Sequence, residues 1–400
     1  MSFMNHWKYQ KWGDLATLEY GKSLSNYDVK SGTYRVYGTN GPIGWSDKYL
    51  CEYPSVIIGR KGAYRGVNFS QKPFFVIDTA FYLKPKIEFD MKWAYYQLLT
   101  QDINSMDSGS AIPSTSRADF YQLSVNVPPL PVQKKIAAIL SSLDDKIEQN
   151  TRMNKVLEEI ARALFRRWFV EFEFPNAEGK PYKSAGGKMV ESEMGSVPEG
   201  WGVGTLNTVV DIIGGGTPKT SVSEYWSGTI PWFSVIDAPN EGDIFVIDTE
   251  KHITQLGIEN SSTRLLPVGT TIISARGTVG KCAVVGVPMT MNQSCYGIRG
   301  KEEGIDYFVY FTIRGMVSEL QSKGHGSVFN TITRDTINSQ MIVVPDVSVM
   351  KNYNDHVTPL LQKIQTNLTE NRHLSELRDE LLPKLMSGEI IIGGKNAAVI

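Results

Sequence analysis

Two short glycine-rich loops carry the residues with the clearest potential for chemistry. The first, residues 59–66, places Arg60, Lys61, Tyr64 and Arg65 among glycines. Glycine permits a close approach of the backbone to a ligand, and arginine and lysine bind DNA phosphates and guanine edges. A single basic loop of this kind is more typical of a solvated hairpin turn. It becomes a candidate nucleic-acid contact only with a second observation.

A matching loop further along the chain supplies that observation. Residues 274–281 hold Arg276 and Lys281 between glycines. Each loop is followed by a hydroxyl-rich segment that ends in arginine, and its candidate DNA contacts are Ser110, Ser114, Thr115, Arg117, His325, Ser327, Asn330, Thr331 and Arg334. Hydroxyl groups bind phosphates and base edges equally well. Alternatively, Ser116 or Thr333 caps a short helix, and both interpretations can hold at once.

The paired loops belong to an internal repeat of the whole chain. Residues 110–117 are echoed by 327–334 at an offset of about 217, and the register persists through both long helical stretches. Upstream, residues 57–62 correspond to residues 272–277, and residues 78–82 correspond to residues 292–296. Trp12 answers Trp201 at a shorter offset, so we expect extra residues in the second copy, within 214–248. The predicted order is module, helix, module, helix.

Apolar residues spaced alternately four and three apart predict the first helix, from Val132 to about Phe172. Its seam is Ile136, Leu140, Leu143, Ile147, Asn150, Asn154, Leu157, Ala161, Leu164 and Trp168. The second seam is Val357, Leu360, Ile364, Asn367, Asn371, Leu374, Arg378, Leu381 and Leu385. Such heptads predict a coiled coil. We expect Pro359 at a helix start, Pro383 at a kink or end, and Gly388 at a stop.

Asparagines occupy matching seam positions in both helices: Asn150, Asn154, Asn367 and Asn371. Buried seam asparagine fixes register and partner number, so these residues are predicted to set the register of the helix pair. A pseudo-twofold axis relating the repeats would make the two helices antiparallel within one chain. The alternative is a coiled coil between two copies of the chain.

Each module mixes β-rich runs, such as residues 55–58 and 269–274, with helical patterns at 92–103 and 305–321. The predicted fold class is α+β, with two pseudo-repeated α/β modules separated by two long helices that form an intramolecular antiparallel coiled coil. The predicted boundaries are module 1 at 1–131, the central helix at 132–173, a linker at 174–200, module 2 at 201–346, the distal helix at 347–392 and a tail at 393–400.

Composition sets limits on function. The formal net charge is -1, so DNA contact requires local patches or more basic partners. Three cysteines without disulfide or zinc spacing predict reduced thiols, and no apolar run predicts a signal or a membrane span. The expectation is a soluble cytoplasmic protein that contacts no membrane.

The sequence predicts no catalytic site, metal site or bound cofactor. The run at 214–220 lacks P-loop spacing, although Thr217 and Lys219 remain candidate DNA contacts. Residues 126–130 match an adenine methyltransferase motif only superficially, because a valine splits the pattern and no aromatic residue follows. The five histidines are scattered without metal-ligand spacing. The chain is interpreted as a binding scaffold.

Several segments resemble the DNA-specificity subunits of type I restriction–modification systems. Residues 174–183, Phe-Pro-Asn-Ala-Glu-Gly-Lys-Pro-Tyr-Lys, continuing through 186–188 to 195–201, resemble the central linker of that family. Residues 129–137 and 381–390 are similar to the start of its first conserved helix and the end of its second. Residues 215–218, 225–226 and 230–232 are similar to the opening of many target-recognition domains, and residues 37–41 to another common variety.

The resemblance implies a non-catalytic subunit whose two target-recognition domains each read one half of a bipartite site in double-stranded DNA. It also implies that the paired helices set the spacing and dock two methyltransferase subunits, which bind S-adenosylmethionine, and that restriction subunits join the complex. The residues that read bases vary widely in the family, so the loop residues named above rest on their chemistry alone.

Two other functions remain open at this point. A single-chain nuclease or methyltransferase would need a catalytic constellation that the sequence does not contain. A coiled-coil interaction scaffold without DNA specificity would leave the paired basic loops unexplained. Salt-dependent, sequence-specific DNA binding separates this scaffold from a specificity subunit.

Overall fold

The computed structural model describes residues 7–27, 31–106, 112–239, 243–324, 331–390 and 392. The chain forms two compact units, Met1–Ile147 with His373–Ile400, and Glu148–Arg372. Both unit boundaries fall inside the long helices, whereas the predicted domain boundaries fall at the ends of those helices. The reason is burial, because the core of each unit contains side chains from a module and from both helices.

The first unit holds module 1. Its described strands are β1 (Lys8–Lys11), β2 (Ala16–Tyr20), β3 (Tyr34–Gly38), β4 (Gly41–Ser46), β5 (Ser55–Gly59), β6 (Val67–Ser70), β7 (Phe74–Val76), β8 (Ala80–Pro85) and β9 (Ser124–Val127). The short helices are α1 (Trp12–Leu15), α2 (Met91–Leu99) and α3 (Arg117–Gln122). The strands pair in the orders β2-β8-β5-β6, β4-β3-β7 and β1-β9.

The second unit holds module 2. Its described strands are β10 (Met189–Ser192), β11 (Gly195–Pro198), β12 (Gly202–Thr205), β13 (Val210–Gly214), β14 (Trp226–Phe233), β15 (Phe245–Val246), β16 (His252–Ile253), β17 (Thr271–Ser274), β18 (Cys282–Val285), β19 (Thr290–Met291), β20 (Cys295–Gly300) and β21 (Met341–Val344). The short helices are α5 (Gln255–Glu259), α6 (Asp306–Gly324) and α7 (Arg334–Asn338). The strands pair in the orders β13-β20-β17-β18-β15, β16-β14-β19, β12-β21 and β10-β11.

The two modules share one strand order, which confirms the repeat. The order β2-β8-β5-β6 recurs as β13-β20-β17-β18, and the parallel pair β3·β7 recurs as β14·β19. Strand β15 has no counterpart among the described strands of module 1 and lies within the region where extra residues were predicted. Helix α5 is a further addition that lies beyond that region.

The strand register corrects one detail of the repeat. Gly59 pairs with Ala80 in module 1, and Ser274 pairs with Cys295 in module 2. Ala80 therefore corresponds to Cys295, whereas the sequence comparison had matched Ala80 to Ser294. The sequence alignment was one residue out of register here, and such a shift would exchange the two faces of a strand.

Two equivalent glycines follow equivalent strands and explain part of the glycine-rich run at 214–216. A Cβ atom on Gly21 would lie 1.9 Å from the Ile77 carbonyl oxygen, and one on Gly215 would lie 1.9 Å from the Asn292 carbonyl oxygen. No side chain fits at this distance. Gly215 is therefore required by the close approach of two backbone segments, without any need for a phosphate.

The long helices are α4 (Leu130–Phe169) and α8 (Val347–Ser387). Helix α4 begins at Leu130 and includes Pro131, which is tolerated because it lies in the first turn. The expectation that Pro359 starts the distal helix is wrong, and Pro383 does not end it. Helix α8 passes through both prolines and ends just before Gly388, whose φ of 78° is typical of a helix stop.

Burial on both sides of Pro359 explains why helix α8 continues. Tyr353, Val357, Leu361 and Ile364 are each fully buried. An interior proline costs about 3 kcal/mol, whereas each large apolar side chain contributes about 1.5–3 kcal/mol when buried. Together these four residues outweigh the missing hydrogen bond.

No helix among the described residues is long and apolar enough to cross a membrane.

Within the second unit, the two long helices pair through their seam asparagines. Asn367 Nδ2 donates to Asn154 Oδ1 at 2.8 Å, and both side chains are fully buried. Asn150 Nδ2 donates to Asn371 Oδ1 at 2.9 Å and to Glu370 Oε2 at 2.8 Å. The partner numbers fall on α8 as they rise on α4, so the helices run antiparallel here. Both pairs join residues of the same chain.

Within the first unit, a charged pair joins the same helices. Arg378 Nη1 donates to Asp144 Oδ1 at 2.8 Å, and the Tyr96 hydroxyl of helix α2 donates to Asp144 Oδ2. Burial is the main cause of the raised pKa of the Tyr96 hydroxyl, and the hydrogen bond to Asp144 raises this pKa further. Arg378 therefore occupies its otherwise apolar seam position because Asp144 faces it.

The segment predicted as a linker is folded. Phe174 stacks on Tyr182 with ring centroids 4.6 Å apart and on Trp201 at 4.9 Å. Strands β10 and β11 form a hairpin in the same segment. Phe174 and Trp201 both belong to the core of the second unit, which joins this segment to the module instead of leaving it as a tether.

We expect Asn367→Leu to lower the free energy of unfolding by about 1–3 kcal/mol, because Asn154 Oδ1 would stay buried without its donor. Gln362→Leu is the matched control, since Gln362 is exposed on the same helix and should change stability by about 0.5 kcal/mol at most. Denaturant unfolding of the purified variants measures both values. Equal stability of the two variants would contradict the role given to the asparagine pair.

Candidate nucleic-acid interface

The two basic loops have the same backbone framework. Gly59 N–H donates to Gly66 O at 2.8 Å, and Ser274 N–H donates to Lys281 O at 2.9 Å. Arg60 N–H donates to Thr79 O at 2.8 Å, and Ala275 N–H donates to Ser294 O at 2.8 Å. Equivalent hydrogen bonds therefore close both loops at the ends of β5 and β17.

Each loop is joined to the hydroxyl-rich segment of its own module. Thr115 N–H donates to Arg60 O at 2.9 Å, and Ile332 N–H donates to Ala275 O at the same distance. Isolated β-bridges pair Lys61 with Ser114 and Arg276 with Thr331. The structure thus brings together, twice, the two kinds of segment that the sequence proposed separately.

Helix caps follow each junction. The Ser116 hydroxyl accepts the Asp119 N–H at the start of α3, and the Thr333 hydroxyl accepts the Thr336 N–H at the start of α7. The alternative interpretation of these two hydroxyls as helix caps is therefore confirmed. The caps orient Arg117 and Arg334, the first residue of each helix.

In module 1, the surface of this arrangement is basic and aromatic. Lys61 is exposed, and the Tyr64 ring is 67% exposed. Arg60 is half-buried and donates from Nη1 to the Asp78 carbonyl at 2.9 Å. Arg117 donates from Nε and Nη2 to the Tyr121 hydroxyl at 3.2 and 3.0 Å, and this hydrogen bond raises the pKa of the guanidinium.

Two candidates of module 1 are buried, which is a correction to the predicted contact set. Arg65 is 2% exposed, and its Nη2 donates to the carbonyls of Asn104 and Met106 at 2.6 and 2.8 Å. The Thr115 hydroxyl is buried and donates to Gly59 O at 2.8 Å. These side chains hold the loop to the module and do not reach its surface.

In module 2, Arg276, Lys281 and Arg334 are exposed, and Thr331 is half-buried. Thr217 is half-buried and its hydroxyl contacts Gln293, next to the residue whose carbonyl closes the loop. Lys219 is exposed, and its carbonyl accepts the Trp226 indole N–H at 3.2 Å. Four candidates lie outside the described residues: Ser110, His325, Ser327 and Asn330.

The sequence comparison missed Tyr20, whose ring is 48% exposed at the end of β2. The Arg60 and Arg117 guanidinium carbons lie 4.9 and 5.0 Å from its centroid. The sequence feature that could have identified this position is Gly21, the residue after Tyr20, because Gly21 and Gly215 occupy equivalent positions in the two modules.

Burial raises the pKa of all three cysteine thiols. Burial raises the pKa of the Cys295 thiol to about 12, so the thiolate that attacks or binds metal is scarce near neutral pH. The cysteines Cys51, Cys282 and Cys295 form no disulfide with one another. Among the described side chains, no group of three or more His, Cys, Asp and Glu is placed to hold a metal ion.

Comparisons with known proteins agree with one another. The model of the family described as "Type I restriction modification DNA specificity domain" matches residues 4–159 and 198–373, one range for each repeat. The HindI specificity subunit of Haemophilus influenzae is 27% identical over 329 residues, which cover 70% of this chain and 71% of that protein. The MjaIX specificity subunit of Methanocaldococcus jannaschii is 24% identical over 394 residues, covering 95% and 88%.

A solved structure shares the fold. The crystal structure of a type I restriction–modification S subunit from M. genitalium matches with a TM-score of 0.66 over 96% of this chain and 98% of that chain. The sequence identity is 17%, so this likeness concerns the architecture.

We expect Arg65→Met to lower the free energy of unfolding by about 1–3 kcal/mol, because buried carbonyl groups would be left without their donor while side-chain volume is kept. Lys61→Met is the matched control in the same loop, since it removes the same charge from an exposed position. Denaturant unfolding of both variants measures the difference. A larger decrease for Lys61→Met would contradict the structural role of Arg65.

Proposed function

The chain belongs to the type I restriction–modification DNA-specificity family, and we propose on that premise that each of its two modules reads one half of a bipartite DNA site. The chain acts as the specificity subunit of a multi-subunit enzyme. In this role it selects the DNA sequence, and the chemistry takes place on its partners.

One observation carries the proposal, namely the duplicated junction of a basic loop with a hydroxyl-rich segment. The bonds from Thr115 to Arg60 and from Ile332 to Ala275 are equivalent. Each junction presents exposed cations, Lys61 in module 1 and Arg276 in module 2. Two copies of one framework with different side chains suit the reading of two different short sequences.

Charge supports the need for partners. The net charge of -1 is low for a protein that binds DNA alone, because much of the affinity for DNA comes from phosphate neutralisation. We infer that the methyltransferase subunits supply part of this attraction. Two such subunits, each with its own S-adenosylmethionine, and further restriction subunits complete the proposed assembly.

The long helices are the proposed spacer. Helix α4 has 40 residues, which gives a length of about 60 Å at 1.5 Å per residue. We propose that α4 and α8 form an antiparallel coiled coil that sets the distance between the half-sites. The seam pairs at Asn154 and Asn367 and at Asp144 and Arg378 support a single register.

Helix α4 also supports the docking of methyltransferase subunits. Met153, Val156 and Ile160 recur at intervals of three and four, so they share one face of the helix. They remain 40%, 53% and 48% exposed. An apolar stripe on an otherwise polar helix surface is typical of a protein interface.

Base-resolved adenine-methylation sequencing of the host genome, with this gene intact and deleted, tests the proposal. We expect deletion to remove methylation at one bipartite motif, and restoration of the gene to restore it. Unchanged methylation in a host whose partner methyltransferase is active would favour the interaction scaffold without DNA specificity.

Paired substitutions assign the half-sites. Arg60→Ala with Lys61→Ala should weaken recognition of one half-site, and Arg276→Ala with Lys281→Ala should weaken recognition of the other. Loss of a base contact, such as one made by Lys61 or Arg276, should cost about 1–3 kcal/mol of binding free energy. Binding of the assembled complex to duplexes altered in one half-site measures the effect.

The control is Lys72→Ala with Lys84→Ala, which removes two exposed cations of module 1 outside the loop. It should leave the preference for both half-sites unchanged. Normal binding by both loop variants would refute the loop assignments while leaving the family membership intact.

A further inference from the structure

The side chain of Tyr20 is partly packed against module 1 and partly exposed at its surface. Its ring is half exposed, and on the module side it packs on Phe81, with centroids 5.0 Å apart. The guanidinium carbons of Arg60 and Arg117 lie 4.9 and 5.0 Å from the ring centroid. These distances are within the range of cation–π attraction. One aromatic ring thus gathers two cations that come from separate segments of the chain.

Each guanidinium is also tied by hydrogen bonds that leave its charge uncompensated. Arg60 Nη1 donates to the Asp78 carbonyl, and Arg117 Nε and Nη2 donate to the Tyr121 hydroxyl. In the part of the chain that the structure describes, no carboxylate forms an ion pair with either residue. Two like charges held together without a counter-charge repel each other, so the arrangement favours a bound anion.

The hydrogen bonds indicate which anion chemistry fits. Side-on pairing of arginine with guanine uses Nε and Nη2 together, and on Arg117 both of these atoms already donate to Tyr121. The remaining donors, which include the end-on edge of the guanidinium formed by Nη1 and Nη2, suit phosphate oxygens. A DNA backbone presents such oxygens at regular spacing.

Module 2 lacks the ring at the equivalent place. Tyr20 is the last residue of β2 and precedes Gly21, whereas Gly214 is the last residue of β13 and precedes Gly215. Arg334, the counterpart of Arg117, has its Nη2 atom 3.5 Å from where a Cβ on Gly214 would lie. The arginine is therefore retained in both modules, and the aromatic support exists in one.

From this arrangement we propose that Tyr20 is a positioning residue, which holds Arg60 and Arg117 on the DNA phosphates at the half-site that module 1 reads. The proposal rests on the proposed function. It predicts a phosphate clamp in module 1 that strengthens binding without selecting bases. Arg334 in module 2 makes its contact without such support.

The test uses the assembled complex with its methyltransferase subunits and a duplex that carries the motif identified by methylation sequencing. Tyr20→Leu removes the ring, and Tyr20→Phe keeps the ring without the hydroxyl. We expect Tyr20→Leu to weaken binding roughly five- to tenfold. The slope of log K against log salt should become shallower by about 0.9 for each phosphate that the variant no longer neutralises. Tyr20→Phe should retain most of the affinity, because it keeps the ring and loses only the contact of the hydroxyl with Arg117.

Preference among altered half-sites distinguishes positioning from reading. Duplexes changed in the first half-site should rank in the same order for Tyr20→Leu and for the unaltered complex. Tyr9→Leu is the control, because Tyr9 is a 74% exposed aromatic residue of the same module with no cation over its ring among the described side chains. It should change neither affinity nor salt slope.

Three results would overturn the proposal. They are unchanged affinity and salt slope in Tyr20→Leu, a relaxed base preference at the first half-site, and an equal decrease in affinity in Tyr20→Phe. If Tyr20→Leu does not assemble, Tyr20→Thr removes the ring with a residue that suits a strand end, and the same outcomes apply. If the unaltered complex binds no motif selectively, the proposed function fails. If the unaltered complex binds its motif selectively and Tyr20→Leu changes neither affinity nor salt slope, only this inference fails.

Discussion

The two long helices bury large apolar side chains by packing on the modules, and this burial shapes both units. In the first unit, Ile136 and Leu140 of α4 share a core with Trp12, and Leu385 of α8 joins them. In the second unit, Trp168 of α4 packs in a core that also contains residues of α8. An isolated helix pair would expose these side chains. Helix and module therefore fold as one structure within each unit.

Polar groups inside this apolar framework add specificity because each has a defined partner. Asn367 donates to Asn154 where the helices meet, and Asp144 accepts hydrogen bonds from Arg378 and Tyr96. A displaced register would leave the buried amide groups of Asn154 and Asn367 without each other, which costs more than their hydrogen bond contributes in place. We propose that this cost restricts the helix pair to one arrangement.

The two modules share a backbone framework but differ in the side chains that the framework carries. The backbone hydrogen bonds that close each loop and join it to its hydroxyl-rich segment are equivalent in both copies. The side chains on that backbone differ, since Gly66 corresponds to Lys281 and Tyr20 to Gly214. A backbone fixed by its own hydrogen bonds tolerates such changes. Under the proposed function, this arrangement would allow each module to present its own contacts to DNA.

Pattern and spacing in the sequence determined the repeat, the two long helices, the α+β modules and the pairing of basic loops, because these features depend on the order of residue types. Only the tertiary structure decided which cations reach the surface, and it placed Arg65 in the core beside backbone carbonyls. It also carried α8 through Pro359, since packing on both sides outweighs one missing hydrogen bond. The tertiary structure also decided that Arg60 and Arg117 lie over the ring of Tyr20. Contacts between distant segments depend on how the chain folds and not on local sequence pattern.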